Sequence, residues 1–135
     1  MTSVESLLKA YFASGDAGDL DHLGRYLRDD VILHDPNGRA TGLDHEKETW
    51  RAARAAMQDL RHDVREVLSS GSMVAARITV SGTLHGTFAG VSADGRAFEV
   101  DQAIFMLVSG GKAQEIWTIV DTGSFYRQVG AFPES

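Results

Sequence analysis

From His62 to Asp121 the chain is a run of β-like segments broken by the turns Ser69-Ser70-Gly71, Ala93-Asp94-Gly95 and Ser109-Gly110-Gly111. Strands are expected over roughly 61–69, 73–88, 97–108 and 112–121. Segments joined this tightly pair antiparallel, because parallel neighbours need a long crossover. Neither face of the meander is polar. Asp101, Ala103, Phe105 and Leu107 alternate with Val100, Gln102, Ile104, Met106 and Val108; Trp117, Ile119 and Asp121 alternate with Ile116, Thr118 and Val120. A sheet with two apolar faces needs two covers.

The first half supplies one of them. Val4, Leu7, Leu8, Tyr11 and Phe12 recur at the spacing of one helical face, with Thr2 and Glu5 in the form of a capping box. Gly15 and Gly18 stop that helix, and Asp19 is placed to cap a short second one carrying Leu20, Leu23, Tyr26 and Leu27. Val31–Asp35 reads as a brief strand halted by Pro36-Asn37-Gly38. A third helix is expected from Asp44 to about Leu60, with Trp50, Ala53, Met57 and Leu60 inward. Helices followed by a strand meander give an α+β fold in one domain over 1–135. The other face of the sheet is expected to pair with a second copy of the chain, as a homodimer.

Composition removes several functions. The chain has no cysteine, so disulfides, thiolate zinc sites and cysteine nucleophiles are unavailable. The net charge is −6 with scattered Lys and Arg, a balance that repels phosphate backbones and argues against nucleic acid. No stretch approaches the ~20 apolar residues of a membrane span, and no secretory leader is evident. A cytoplasmic protein is expected. No glycine-rich loop joins a strand to a helix, so no phosphate-bearing cofactor is expected. His45-Glu46-Lys47-Glu48 opens like a zinc-protease motif but lacks the second histidine, and no metal site is expected.

The end of the chain carries Gly111-Lys112, Glu115, Trp117, Asp121 and then Gln128-Val129-Gly130, preceded by Arg77, Gly82-Thr83, Gly86 and Gly90. These residues resemble the SnoaL-like polyketide cyclases of the nuclear transport factor 2-like superfamily. The resemblance implies a cone-shaped roll: three N-terminal helices packed on a strongly curved, mostly antiparallel sheet. It also implies that Asp121 is the acid-base residue of an aldol ring closure. Tyr11, Gly18-Asp19 and Asp35-Pro36 with Gly38 are similar to ketosteroid isomerases, which implies that Tyr11 holds a developing oxyanion and Asp35 moves a proton. The cyclases' G-T-H-x-G reads Gly82-Thr83-Leu84-His85-Gly86 here, one position displaced, and the isomerases' buried acid matches Ala103, with Asp101 two residues away.

Each candidate has a plainer reading beside it. Asp121, read as surrounded by Ile119, Val120 and Phe105, is placed to accept a proton from an apolar pocket, or else to bond backbone amides beyond Gly123. Asp35 is held extended by Pro36 at a strand end, where it aims into a cleft or simply starts a turn. Tyr11 is a core residue or an oxyanion donor. His85 is a proton shuttle or an ordinary strand histidine. Trp50, Trp117 and Phe105 wall a pocket or fill a core. The expected function is cofactor-independent acid-base chemistry, cyclisation or isomerisation through an enolate, on a small apolar carbonyl compound. A non-catalytic ligand binder and a dimeric interaction module are the alternatives.

Overall fold

The computed structural model describes residues 1–130. Its elements follow in the order α1 (Ser3–Asp16), a 3-10 turn (Leu23–Arg25), β1 (Leu27–Asp35), β2 (Gly38–Thr41), α2 (Leu43–Ala56), β3 (Arg61–Ser70), β4 (Met73–Phe88), β5 (Val91–Ser109), β6 (Lys112–Val120) and α3 (Thr122–Val129). The α+β architecture is as expected, and the other three meander strands begin and end close to the turns read from the sequence, whereas β5 starts at Val91, six residues before the expected 97. The β4–β5 turn falls at Ala89-Gly90, both at positive φ (54° and 78°), and Ala93-Asp94-Gly95 lies within β5, paired with β4. Three other details differ. The Asp19–Leu27 segment forms only a 3-10 turn, because Asp19 bonds the His22 ring instead of capping a helix. The strand before Pro36 starts four residues early, at Leu27. A third α-helix lies at the C-terminal end, opened by Asp121 and closed by Gly130 at φ 74°.

The six strands form one sheet in the order β2-β1-β6-β5-β4-β3. All neighbours are antiparallel except β1 and β6, which run parallel. That pair joins the first strand to the last, and it is what draws the helical half over the meander. Register shifts at Val64/Glu66, Leu84/His85 and Leu107/Val108 mark bulges. Bulges bend a strand and add twist, so the sheet curls around what packs on it.

α1 begins where the Thr2 hydroxyl accepts the Glu5 N–H. The Glu5 carboxylate accepts instead from Ser69 at the far end of β3, which ties the helix start to the sheet edge. Leu8, Tyr11 and Phe12 face inward on α1, and Trp50, Ala53 and Ala56 on α2. They meet Val74, Ile78 and Val80 of β4, Val100, Ile104 and Met106 of β5 and Ile116 of β6. Burying each such side chain contributes about 1.5–3 kcal/mol before entropy is charged.

The same register sends the alternate residues outward. Phe105 sits opposite Trp117 and Ala103 opposite Ile119 on this outer face. Phe105 is 41% exposed and Ile119 60%. The Trp117 ring lies flat on His34, centroids 5.3 Å apart, and His34 Nε2 is 2.6 Å from Glu115 Oε2. No helix among the described residues is long and apolar enough to cross a membrane.

Candidate active site

Between the helices and the inner face of the sheet the packing stops short, leaving a cavity of about 390 Å³. That is within the usual range of small-ligand pockets. Its walls are mostly apolar, with Phe12, Met57, Leu60, Phe98, Ile104 and Phe125 prominent. Five polar side chains bear on the chemistry: Tyr11, Asp35, Glu46, His62 and Gln102.

Asp35 arrives from the last position of β1, paired with Gly38 across the β1–β2 turn. Its Oδ1 accepts the Asn37 N–H at 2.8 Å. Both readings of this residue therefore describe the same side chain: one oxygen makes the turn, and the residue lines the cavity.

Tyr11, Glu46 and Trp50 form a buried chain. Trp50 Nε1 donates to the Tyr11 hydroxyl at 2.9 Å, and that hydroxyl stands 2.6 Å from Glu46 Oε2. Glu46 Oε1 has no partner among the described residues. Burial in this apolar setting raises the Glu46 carboxyl above the ordinary range, opposed by the Tyr11 hydrogen bond and reinforced by the charge of Asp35. Burial likewise pushes the Tyr11 phenol well above its usual value, with the neighbouring Glu46 adding to the effect.

The raised Glu46 makes stability depend on pH in a definite direction. The folded chain holds this proton where the unfolded chain has lost it, so stability falls as pH rises from the ordinary glutamate pKa through the raised one. Glu46→Gln keeps an acceptor for Tyr11 and removes the titration. Urea midpoints measured across pH are expected to show the variant gaining on the wild type as pH rises. Parallel curves would show that Glu46 ionises as freely folded as unfolded.

Gln102 is buried at 8% exposure on β5, in a row of Val100, Ile104 and Met106, and its amide makes no hydrogen bond among the described residues. No side-chain polar atom there is both sealed from solvent and unpartnered. The amide therefore opens onto the cavity it lines. His62, at the start of β3, packs between Phe12 and Trp50 with centroids 4.9 and 5.1 Å away, and its Nδ1 is 2.7 Å from Asp16 Oδ1.

Five sequence candidates lie elsewhere. Trp117, Phe105, Asp101 and Asp121 are absent from the cavity wall, and the residues of opposite parity, Thr118, Val120, Gln102 and Ile104, take their place. With both faces apolar, alternation separates the two sets of side chains without saying which set faces in. Asp121 is exposed, and its Oδ1 accepts the Ser124 N–H at 3.0 Å, capping α3. With Asp101 it lines a polar groove on the outer face, beside Arg65 and Thr79. His85 follows the bulge in β4, where its side chain is 62% exposed and 3.7 Å from Asp94. Tyr11, Asp35 and Trp50 do line the cavity.

Three cavity residues were missed. Glu46 lies one helical turn before Trp50 on the inward stripe, and a charge on an apolar stripe was the available signal. Gln102 is the one polar side chain in the β5 row. His62 is separated from Asp16 by 46 positions, and no local pattern joins them.

The family model described as SnoaL-like polyketide cyclase matches residues 5–129. The chain belongs to the SnoaL-like polyketide cyclase family. Among solved structures, this family member is similar to TsrD from Streptomyces laurentii, at 27% identity, with 96% of each chain covered and a TM-score of 0.87. It is similar to a SnoaL-like polyketide cyclase from Agrobacterium tumefaciens at 25% identity, covering 96% of this chain and 100% of that one, with a TM-score of 0.84. IdmH from Streptomyces antibioticus shares the fold at 24% identity, 94% and 98% coverage and a TM-score of 0.82. Among curated proteins none matches. The family places the chain with cyclase-type small-molecule enzymes.

Proposed function

We propose that this SnoaL-like protein catalyses cofactor-independent acid-base chemistry on an apolar carbonyl compound in the cavity, closing a ring or shifting a double bond through an enolate. The supporting observation is that two carboxyl groups in unlike environments line one cavity. Asp35 stands at a strand end with one oxygen committed to a turn. Glu46 is buried and held toward its neutral form, in part by the charge of Asp35. Pairs of titratable groups whose surroundings push them apart divide into base and acid.

Asp35 takes the proton from the carbon beside the carbonyl, and the C–H electron pair moves into the enolate. The Tyr11 hydroxyl accepts from Trp50 and donates to Glu46 Oε2. In its neutral form Glu46 therefore carries its proton on Oε1, the oxygen without a partner among the described residues, and donates it in a hydrogen bond to the enolate oxygen. Gln102 supplies a second donor. Such donors stabilise charge that appears only in the transition state. The cyclase name of the Agrobacterium neighbour favours ring closure over isomerisation.

Deuterium uptake beside the carbonyl, followed by NMR over a panel of bicyclic and tricyclic ketones that includes β-tetralone, tests this reading. Uptake faster than in protein-free buffer is expected. Uptake at the buffer rate across the panel would overturn it.

The outer face carries a second proposal. Its exposed Phe105 and Ile119, with Leu68 at 74% exposure, belong to an apolar sheet surface, and a second copy of the same face is the cover we infer. Phe105→Glu combined with Ile119→Lys is expected to convert a dimer into a monomer by native mass spectrometry. A wild type that is monomeric at tens of micromolar would end this proposal.

A further inference from the structure

The mechanism above leaves one buried dyad unused. Asp16, at the end of α1, grips His62 with both oxygens: Oδ2 accepts the His62 backbone N–H at 2.6 Å, and Oδ1 is 2.7 Å from ring Nδ1. Arg54 of α2 donates to the Asp16 carbonyl oxygen at 2.6 Å, holding that end of the helix in place. The ring is clamped between Phe12 and Trp50. The His62 side chain is only 9% exposed, and Asp16 20%.

This arrangement decides which ring nitrogen is available. A carboxylate only accepts, so Nδ1 carries its proton toward Asp16 and Nε2 is left as the free nitrogen. Nε2 has no hydrogen-bond partner among the described residues, and no buried side-chain polar atom there is both sealed and unpartnered. Nε2 therefore reaches open space, and His62 lines the cavity. The titratable groups that line that same cavity from other elements are Tyr11 of α1, Asp35 of β1, Glu46 of α2 and Tyr126 of α3, and Gln102 of β5 adds a buried amide. His62 is locked in orientation by a carboxylate, that of Asp16, which stands outside the cavity.

We propose that His62 Nε2 is a second proton-transfer group of this site, acting on an oxygen-bound proton of the substrate, with Asp16 as its positioning residue. The proposal rests on the reading of the cavity as an enolate-forming site and narrows its substrate to compounds bearing a hydroxyl or enol beside the ketone. In ring closure, neutral Nε2 takes the proton of the enol O–H, whose bonding pair stays on oxygen. That oxygen pair re-forms a C=O as the C=C π pair bonds the nucleophilic carbon to the second carbonyl carbon, whose own C=O π pair moves to its oxygen. The imidazolium N–H then breaks and returns its proton to the new alkoxide. One proton has passed between two oxygens, and nothing is oxidised or reduced.

Asp16→Asn gives a test that a merely structural role would not pass. The amide oxygen must serve the His62 backbone N–H, which turns the NH2 group toward Nδ1. A donor there forces the ring proton onto Nε2, the wrong tautomer for a base. Ring nitrogen-15 NMR, with His62 assigned by its loss in His62→Gln, is expected to show a protonated Nδ1 in the neutral wild-type ring and a protonated Nε2 in Asp16→Asn. The kinetic probe is a fluorogenic β-hydroxy ketone bearing a methoxynaphthyl group, whose cleavage begins with loss of the hydroxyl proton. Its cleavage rate divided by the β-tetralone exchange rate is expected to fall about 100-fold in both variants. A wild-type proton on Nε2, or an unchanged ratio in His62→Gln, would overturn the proposal. So would a wild type that exchanges β-tetralone but leaves the hydroxy ketone intact, and in that case the enolate reading stands without His62. Failure of both probes removes the two together.

Discussion

Asp35→Asn is expected to slow β-tetralone deuterium uptake about 1,000-fold, the middle of the usual range for a general base. At 1.36 kcal/mol per tenfold this is about 4 kcal/mol of transition-state stabilisation. The variant is a clean one because the two oxygens of Asp35 have separate duties. Oδ1 accepts the Asn37 N–H, and the asparagine oxygen takes over that bond. The turn between β1 and β2, paired at Asp35 and Gly38, therefore persists. What changes is the other atom, an NH2 group that has no lone pair to offer a proton. The melting temperature should stay close to that of the wild type while the rate collapses. A variant retaining more than about a third of the wild-type rate would show that another group takes the carbon-bound proton.

The second large effect is on stability. Trp50→Ala is expected to cost about 3–5 kcal/mol, read as a lower urea midpoint at unchanged slope. Trp50 is 6% exposed and stands edge-on to Tyr11 and Phe12 at 5.8 and 6.3 Å. Its ring fills space that is open only because residue 15 is glycine, where an added Cβ would fall 2.4 Å from Cη2. Removing the indole leaves Gly15 facing a void and takes away the donor that holds the Tyr11 oxygen. Because Trp50 also borders the cavity, water can enter part of the space, which favours the lower end of the range. A cost under about 1 kcal/mol would mean that α1 and α2 close over the gap.

The outward placement of Asp121 shows how far pattern reading reaches. The alternation on β5 and β6 is clear in the chain, and both sets of side chains emerge as read. Both sets are apolar enough to be buried, however, so polarity carried no sign. Trp117 and Phe105 looked like pocket walls because large aromatics are usually inside, yet here they lie on the outer face of the sheet. Glu46 shows the opposite case. Its place on the Trp50 stripe was available from spacing alone, but a glutamate in that position reads as a solvated side chain until Tyr11 is known to meet it.

Local signals in the chain were enough for the strand limits between His62 and Val120 other than the start of β5, the inward face of α1, the turn at Pro36 and the α+β order, because each depends on residues a few positions apart. The inward face of the sheet, the chain of Trp50, Tyr11 and Glu46, and the grip of Asp16 on His62 were decided only by tertiary structure. They join residues 35 to 46 positions apart and depend on how the parallel pairing of β1 with β6 swings the helices across the sheet. Hydrophobic periodicity records which side chains share a face, and only packing says which face is closed.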